Sequence, residues 1–200
     1  MRDALDTLAI QYLNSPEKTA EDFNKKQEMR AVLFIGYKPV MWHSDFLNGI
    51  SRSYMYNALL AKHLHDKALS LLRYPLGLQA LFTTRIQALE ATLELNKIIQ
   101  KNPTPIPATM VLGWSHGIEL DEWYGMAILQ CRHLVELGVQ QEMLVTQEYA
   151  KDFSVPPGIG LAQARRSRIQ LAGFPFWTLK DYRPVNHTLA CCPTRTPSTS

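Results

Sequence analysis

Apolar side chains recur three and four residues apart along much of this chain, the spacing that lines one side of an α-helix. Leu5, Leu8, Ala9 and Tyr12 do so near the start, and Ser15-Pro16-Glu17 then reads as an N-cap followed by proline in the first turn. Two N-terminal helices are expected. From Ser51 to Arg73, Tyr54, Ala58, Ala61, Ala68 and Leu72 share one side while Arg52, Lys62, Asp66, Lys67 and Ser70 fall mostly elsewhere, which predicts a long helix stopped at Tyr74-Pro75-Leu76-Gly77. A second long helix is predicted from about Leu78 to Lys101, with Leu78, Phe82, Ile86, Leu89 and Leu93 as its buried stripe. Pro103, Pro105 and Pro107 forbid its continuation, because each removes an amide donor and disfavours helical backbone in the residue before it.

Strand signals are fewer. Ala31 to Ile35 is a continuous apolar run stopped by Gly36 and Pro39, read here as a buried strand in preference to a helix end. Thr109 to Trp114 is a second such run, followed by a Ser115-His116-Gly117 turn and a two-faced helix up to Gly138. In that helix Leu120, Trp123, Tyr124, Ala127, Ile128, Cys131, Leu134 and Val135 keep helical spacing, with Glu119, Asp121 and Glu122 where the helix dipole favours anions. Residues 141–153 fit a helix or a strand around Met143 to Val145, and Phe174, Phe176 and Trp177 around Pro175 suggest an extended segment on the body. The pattern predicts a mainly α fold with a few short strands (α+β): long helices around one core and a strand-turn-helix at 108–138. One domain over 1–182 and a flexible tail over 183–200 are expected.

Composition narrows the class. Of 200 residues, 46% are apolar and 20% charged, enough to bury a core and too apolar for global disorder. The net charge of +3 is uneven: residues 151–200 hold seven Lys/Arg against two Asp/Glu, a net of +5, while residues 1–150 are net −2. Arg165, Arg166 and Arg168 are the centre of this basic part and candidate phosphate contacts. Three cysteines, Cys131 in an apolar helical position and Cys191-Cys192 near the end, show no zinc or disulfide spacing and suit a reducing cytoplasm. No signal-peptide pattern or membrane-length apolar run is present in the sequence.

Gly113-Trp114-Ser115-His116-Gly117 matches G-x-S-x-G between a predicted strand and a predicted helix, the setting of an α/β-hydrolase elbow. A serine esterase would use Ser115 as nucleophile with Asp181 and His187 as its triad partners. Ile118, Glu119 and Leu120 are bulkier than the residues that usually follow an elbow, and His187 falls in the expected tail; a serine capping the helix is the simpler account. Gly49 to Leu59 resembles the second half of a helix-turn-helix, which would aim Arg52, Ser53 and Asn57 at a major groove, although Asp45 and Asn48 interrupt the preceding half. The run from Thr109, Val111 and Gly113 into a helix also fits a ribbon-helix-helix order, with an outward set poor in base-reading groups. His63 and His65 point to different sides of a helix, and His116 with Glu119 or His133 with Glu136 read as solvent-facing pairs. No metal or cofactor is expected, and Gly158-Ile159-Gly160 lacks the rest of a dinucleotide loop.

Arg85-Ile-Gln-Ala-Leu-Glu90 opening a long helix, a proline-marked strand, and a helix carrying Trp123-Tyr124-Gly125 and Leu134-Val135 together resemble AcaB-type regulators of conjugative plasmids and integrative elements, over residues 76–150. That resemblance implies a DNA-binding regulator of gene transfer. The leading expectation is accordingly a cytoplasmic, homo-oligomeric DNA-binding protein, with nucleic acid as partner and the Arg165 to Arg168 segment on phosphate. The serine esterase is one alternative, and a protein-binding adaptor using the aromatic segment Phe174 to Trp177 is another.

Overall fold

Continuous apolar runs along the central strands give one sheet two buried faces, each covered by helices. The computed structural model describes Asn14 and residues 27–37, 46–102, 107–119, 123–138 and 141–183. In chain order the elements are β1 (Gln27–Tyr37), α1 (Phe46–Leu64), β2 (Ser70–Tyr74), β3 (Gly77–Phe82), α2 (Arg85–Lys101), β4 (Ala108–Glu119), β5 (Trp123–Gly125), α3 (Met126–Leu137), β6 (Met143–Thr146), α4 (Gln147–Ala150), β7 (Ile159–Gln163), α5 (Arg166–Ala172) and β8 (Phe176–Asp181). The strand order is β2-β3-β1-β4-β6-β8-β7, with β5 added on β4. Only β4 and β6 pair in parallel; the other ladders are antiparallel. Up to β4 the order is β-α-β-β-α-β, with β3 inserted between β1 and β2.

The mainly helical expectation is therefore corrected, since strands hold about as many residues as helices. The predicted helix over 51–73 ends at Leu64, and residues 70–82 form a hairpin in which Pro75 and Leu76 are the turn and Tyr74 faces Gly77. Leu78 and Phe82, four residues apart, had the look of a helical stripe. Every residue of β3 is buried, and a strand buried on both faces loses the alternation that would reveal it. The strand predicted at Thr109 to Trp114 runs on to Glu119, and its helix starts at Met126. The expected N-terminal helices and the tail lie outside the described residues.

On one face, Ala31, Leu33, Ile35, Ala80, Phe82, Met110 and Leu112 pack against Leu60 and Leu64 of α1 and Leu89, Leu95 and Ile99 of α2. On the other, Val32, Phe34, Leu81, Val111, Leu144 and Phe176 meet Ala127, Cys131 and Leu134 of α3 and Ala172 of α5. Helix α2 begins with a capping box: Thr84 Oγ1 accepts from the Gln87 amide, and the Gln87 side chain accepts from the Thr84 amide. The first residue of α2 also locks a distant turn. Arg85 donates to the carbonyls of Tyr149 (3.1 Å) and Lys151 (2.6 Å), its guanidinium lies 5.5 Å from the Trp114 ring and 5.0 Å from Phe153, and Tyr149 Oη donates back to the Arg85 carbonyl. No helix among the described residues is long and apolar enough to cross a membrane.

Helix α3 sits low because two strand positions beneath it have no side chain. A Cβ on Gly113 would meet Cys131 Sγ at 2.7 Å and the Ala127 Cβ at 2.9 Å, and one on Gly36 would fall inside the Val135 side chain. Gly36→Ala should thus lower stability by about 1–3 kcal/mol through overpacking, and adding Val135→Ala should restore most of that loss in urea denaturation. Losses that simply add would show that the two side chains do not compete for one space.

Candidate functional site

Helix α3 lies over β1 and β4, so on this face β3 and β2 extend beyond it. Strand register brings Phe34, Gln79 and Leu72 into one cross-strand row, and Tyr74, two residues on from Leu72, shares their side. The Phe34 and Tyr74 rings stack with centroids 5.8 Å apart and planes 25° from parallel. Exposed Arg132, projecting from α3, places its guanidinium 4.9 Å from the Tyr74 ring and 5.7 Å from Phe34, and donates to Tyr74 Oη at 2.6 Å. Tyr74 Oη in turn donates to Oε1 of buried Gln79 at 3.3 Å. The result is a cation held beside two aromatic rings and hydrogen-bonded to one of them at the open side of the sheet.

Among the described residues, the strands of this setting carry few carboxylates. Residues 70–82 contain no Asp or Glu, β1 contains only Glu28, paired with Arg30, and β4 only Glu119 at its end. Among the described residues no three His, Cys, Asp or Glu side chains are grouped so as to hold a metal ion.

The residues singled out from sequence are scattered. Ser115 lies inside β4 opposite Arg30, not at an elbow, and its Oγ accepts from the Ala127 amide at 3.0 Å, satisfying an otherwise orphaned donor in the first turn of α3. Asp181 sits on β8, with β6 between β8 and β4. Its carboxyl is engaged by Arg183 at 2.8–2.9 Å, and those hydrogen bonds hold it below the ordinary aspartate range. His187 lies outside the described residues, so the triad expectation has no assembled site. Arg165 and Arg166 are exposed, but Arg168 turns to Glu142, donating through Nη1 at 2.9 Å and Nη2 at 2.8 Å, with its guanidinium 5.3 Å from the Phe176 ring. The three do not form one free cationic surface.

The helix-turn-helix expectation fails on burial. Ser53 is 0% and Asn57 1% exposed. Ser53 Oγ donates to the Pro75 carbonyl, Asn57 Nδ2 to the Tyr74 carbonyl, and Tyr37 Oη to Asn57 Oδ1. They fasten α1 to the hairpin, Arg52 beside them is half-buried, and the stripe members Tyr54 and Ala58 face out instead. The adaptor surface is also absent: β8 lies between β6 and β7, Phe176 is fully buried, and Phe174 and Trp177 are half-buried. Arg132, Tyr74 and Gln79 were missed because no linear motif joins them; the β2–β3 register was the signal that would have found them.

No family model matches the chain, and no curated protein matches it in sequence. Its fold does match solved structures. The catalytic core of a rhodopsin-guanylyl cyclase with converted specificity, in complex with ATPαS, superposes with a TM-score of 0.59 at 9% identity, covering 79% of this chain and 99% of that one. A non-canonical dimeric guanylyl cyclase domain of the RhoGC fusion protein from the aquatic fungus Blastocladiella emersonii gives 0.58 at 8% identity, covering 80% and 98%. An adenylate/guanylate cyclase/hydrolase from Silicibacter pomeroyi gives 0.57 at 17% identity, covering 76% and 95%. The fold is that of nucleotide cyclase catalytic domains, which overturns the resemblance to AcaB-type regulators and with it the DNA-binding, esterase and adaptor readings.

Phosphoryl transfer from a nucleoside triphosphate takes divalent cations held by carboxylates, which neutralise charge on the phosphates. The described residues do not offer that donor set and do not fit such an ion.

Ser115→Ala should cost about 1 kcal/mol, as loss of a helix-capping oxygen does, and an organophosphonate should leave Ser115 unlabelled in the native chain; labelling would restore the nucleophile reading. Burial pushes the Cys131 thiol far above its ordinary range. In a Cys191→Ser/Cys192→Ser background, native protein should resist alkylation and react only once unfolded, and rapid native labelling would contradict this packing.

Proposed function

We propose that this chain is a non-cyclising member of the cyclase fold, a domain that recognises a nucleotide and reports it by assembling with a second copy instead of converting it. One observation carries the reading: the sheet of a nucleotide cyclase domain is present while β3 and β6 carry no Asp or Glu, Glu28 of β1 is paired with Arg30, and no cluster among the described residues could hold a divalent cation. Retention of the scaffold without those groups favours binding over turnover. Pairing of two copies is supported by the dimeric neighbour and by α3, which leaves Met126 and Leu129, one turn apart, 59% and 61% exposed. A reducing cytoplasm is the compartment proposed, consistent with the free Cys131.

The test is direct. Incubated with ATP or GTP and excess Mg²⁺ or Mn²⁺, the full chain should form no cyclic nucleotide above a protein-free control, and light scattering should move from the mass of one chain toward that of two as nucleotide is added. Accumulation of cyclic product would overturn the non-cyclising reading; a strictly monomeric mass with and without nucleotide would overturn the assembly.

A further inference from the structure

Among the described residues, three arginines lie over aromatic rings, and they differ in what answers their hydrogen bonds. Arg85 is committed to backbone carbonyls of Tyr149 and Lys151. Arg168 is committed to both oxygens of Glu142. Arg132 meets one phenol oxygen, and among the described residues no carboxylate pairs with it. A guanidinium has five N–H donors in a rigid fork, so among the described residues most of its recognition capacity is unanswered while the side chain is already placed by the Phe34 and Tyr74 rings and the Tyr74 hydroxyl.

The orientation is set from below. Gln79 is 1% exposed, and its Oε1 takes the Tyr74 hydroxyl proton, which leaves the phenol lone pairs to receive Arg132. A buried amide thus directs the phenol, and the phenol directs the guanidinium. Groups ordered in this way lose little further freedom when a ligand arrives.

We infer that Arg132, held by Tyr74 and Phe34, is a metal-independent site for phosphoryl oxygens, borne by a nucleotide or by free phosphate. The nucleotide source rests on the function proposed above; the phosphoryl chemistry rests on the site alone. Two oxygens of one phosphoryl group match the fork of the guanidinium. The cation does the neutralising that a divalent ion does elsewhere, and residues 70–82 add no carboxylate to oppose it, the carboxylate one turn along α3 being Glu136.

Titration calorimetry on the full chain decides it, with ATP, GTP, the parent nucleosides and inorganic phosphate, each in EDTA and again in excess Mg²⁺. A triphosphate should bind in EDTA within about threefold of its affinity in Mg²⁺, and the nucleosides should bind at least about tenfold more weakly. Arg132→Ala should weaken binding by about tenfold or more with an unchanged melting temperature, as expected for loss of a bidentate charge-assisted contact. Arg132→Lys should not rescue it, because an ammonium neither stacks flat nor forks. Tyr74→Phe, which keeps the ring and drops the oxygen, should fall between. Displacement of the nucleotide by inorganic phosphate would assign the site to free phosphate; failure of that displacement, with the triphosphate still bound, would assign it to the nucleotide. The inference is overturned if binding requires Mg²⁺, if no phosphorylated ligand binds in EDTA, or if Arg132→Ala binds as tightly as the parent. None of those results forms cyclic product, so they leave the non-cyclising reading standing or falling on its own assay.

Discussion

The depth at which α3 can approach the sheet governs what the rest of this face can do. Gly36 on β1 and Gly113 on β4 take the place of side chains that would collide with Val135, Cys131 and Ala127, so the helix backbone comes within reach of the strands. Dispersion falls steeply with distance, and a gap of half an ångström to one ångström already forfeits a quarter to a half of each contact. At this depth Ser115 reaches the Ala127 amide from inside β4, and Arg132 reaches across β1 to the hairpin. A helix seated higher would leave an uncapped first turn and an arginine in open solvent. Packing on one side of α3 therefore sets the chemistry available on the other.

That chemistry is organised around positive charge. The strands under the open face carry rings, an amide and aliphatic groups, and the charge comes from the helix at its border. Elsewhere in the molecule aromatic-stacked arginines serve as bolts: Arg85 gathers the turn after α4, and Arg168 pulls residue 142 toward α5. The contrast among three similar arginines is what separates structure from recognition here, since all three lie over rings and, among the described residues, only Arg132 lacks an anionic or carbonyl sink.

Legibility of the sequence tracked how one-sided each element is. The 126–137 helix and the back half of α2 could be read because only one side of each is buried, and the run Ala31 to Ile35 could be read as a strand because Gly36 and Pro39 punctuate it. The hairpin could not. β3 is buried on both faces, and Leu78 and Phe82 stand at a spacing that a helix also uses, so periodicity had nothing to decide with. The capping box at Thr84 to Gln87 was a usable marker that the true start of α2 lies seven residues past Leu78, and it went unweighed. Among candidate site residues, Gly113-x-Ser115 looked catalytic because its glycine and serine do structural tasks that mimic an elbow: one admits a helix, the other caps it. Arg168 looked like a free cation because Glu142 is 26 positions away, a separation no local pattern reports.

The position of β1 in the sheet has a consequence for how the chain is made. β1 pairs only with β3 and β4, so the run Ala31 to Tyr37, buried on both faces in the finished molecule, is synthesised about forty residues before its first neighbour. At translation rates of about 5–20 residues per second, that segment waits roughly 2–8 s without a partner strand. Until β3 follows, the chain carries an apolar segment with no strand to pair with, the kind of transient exposure that favours association between unfinished chains.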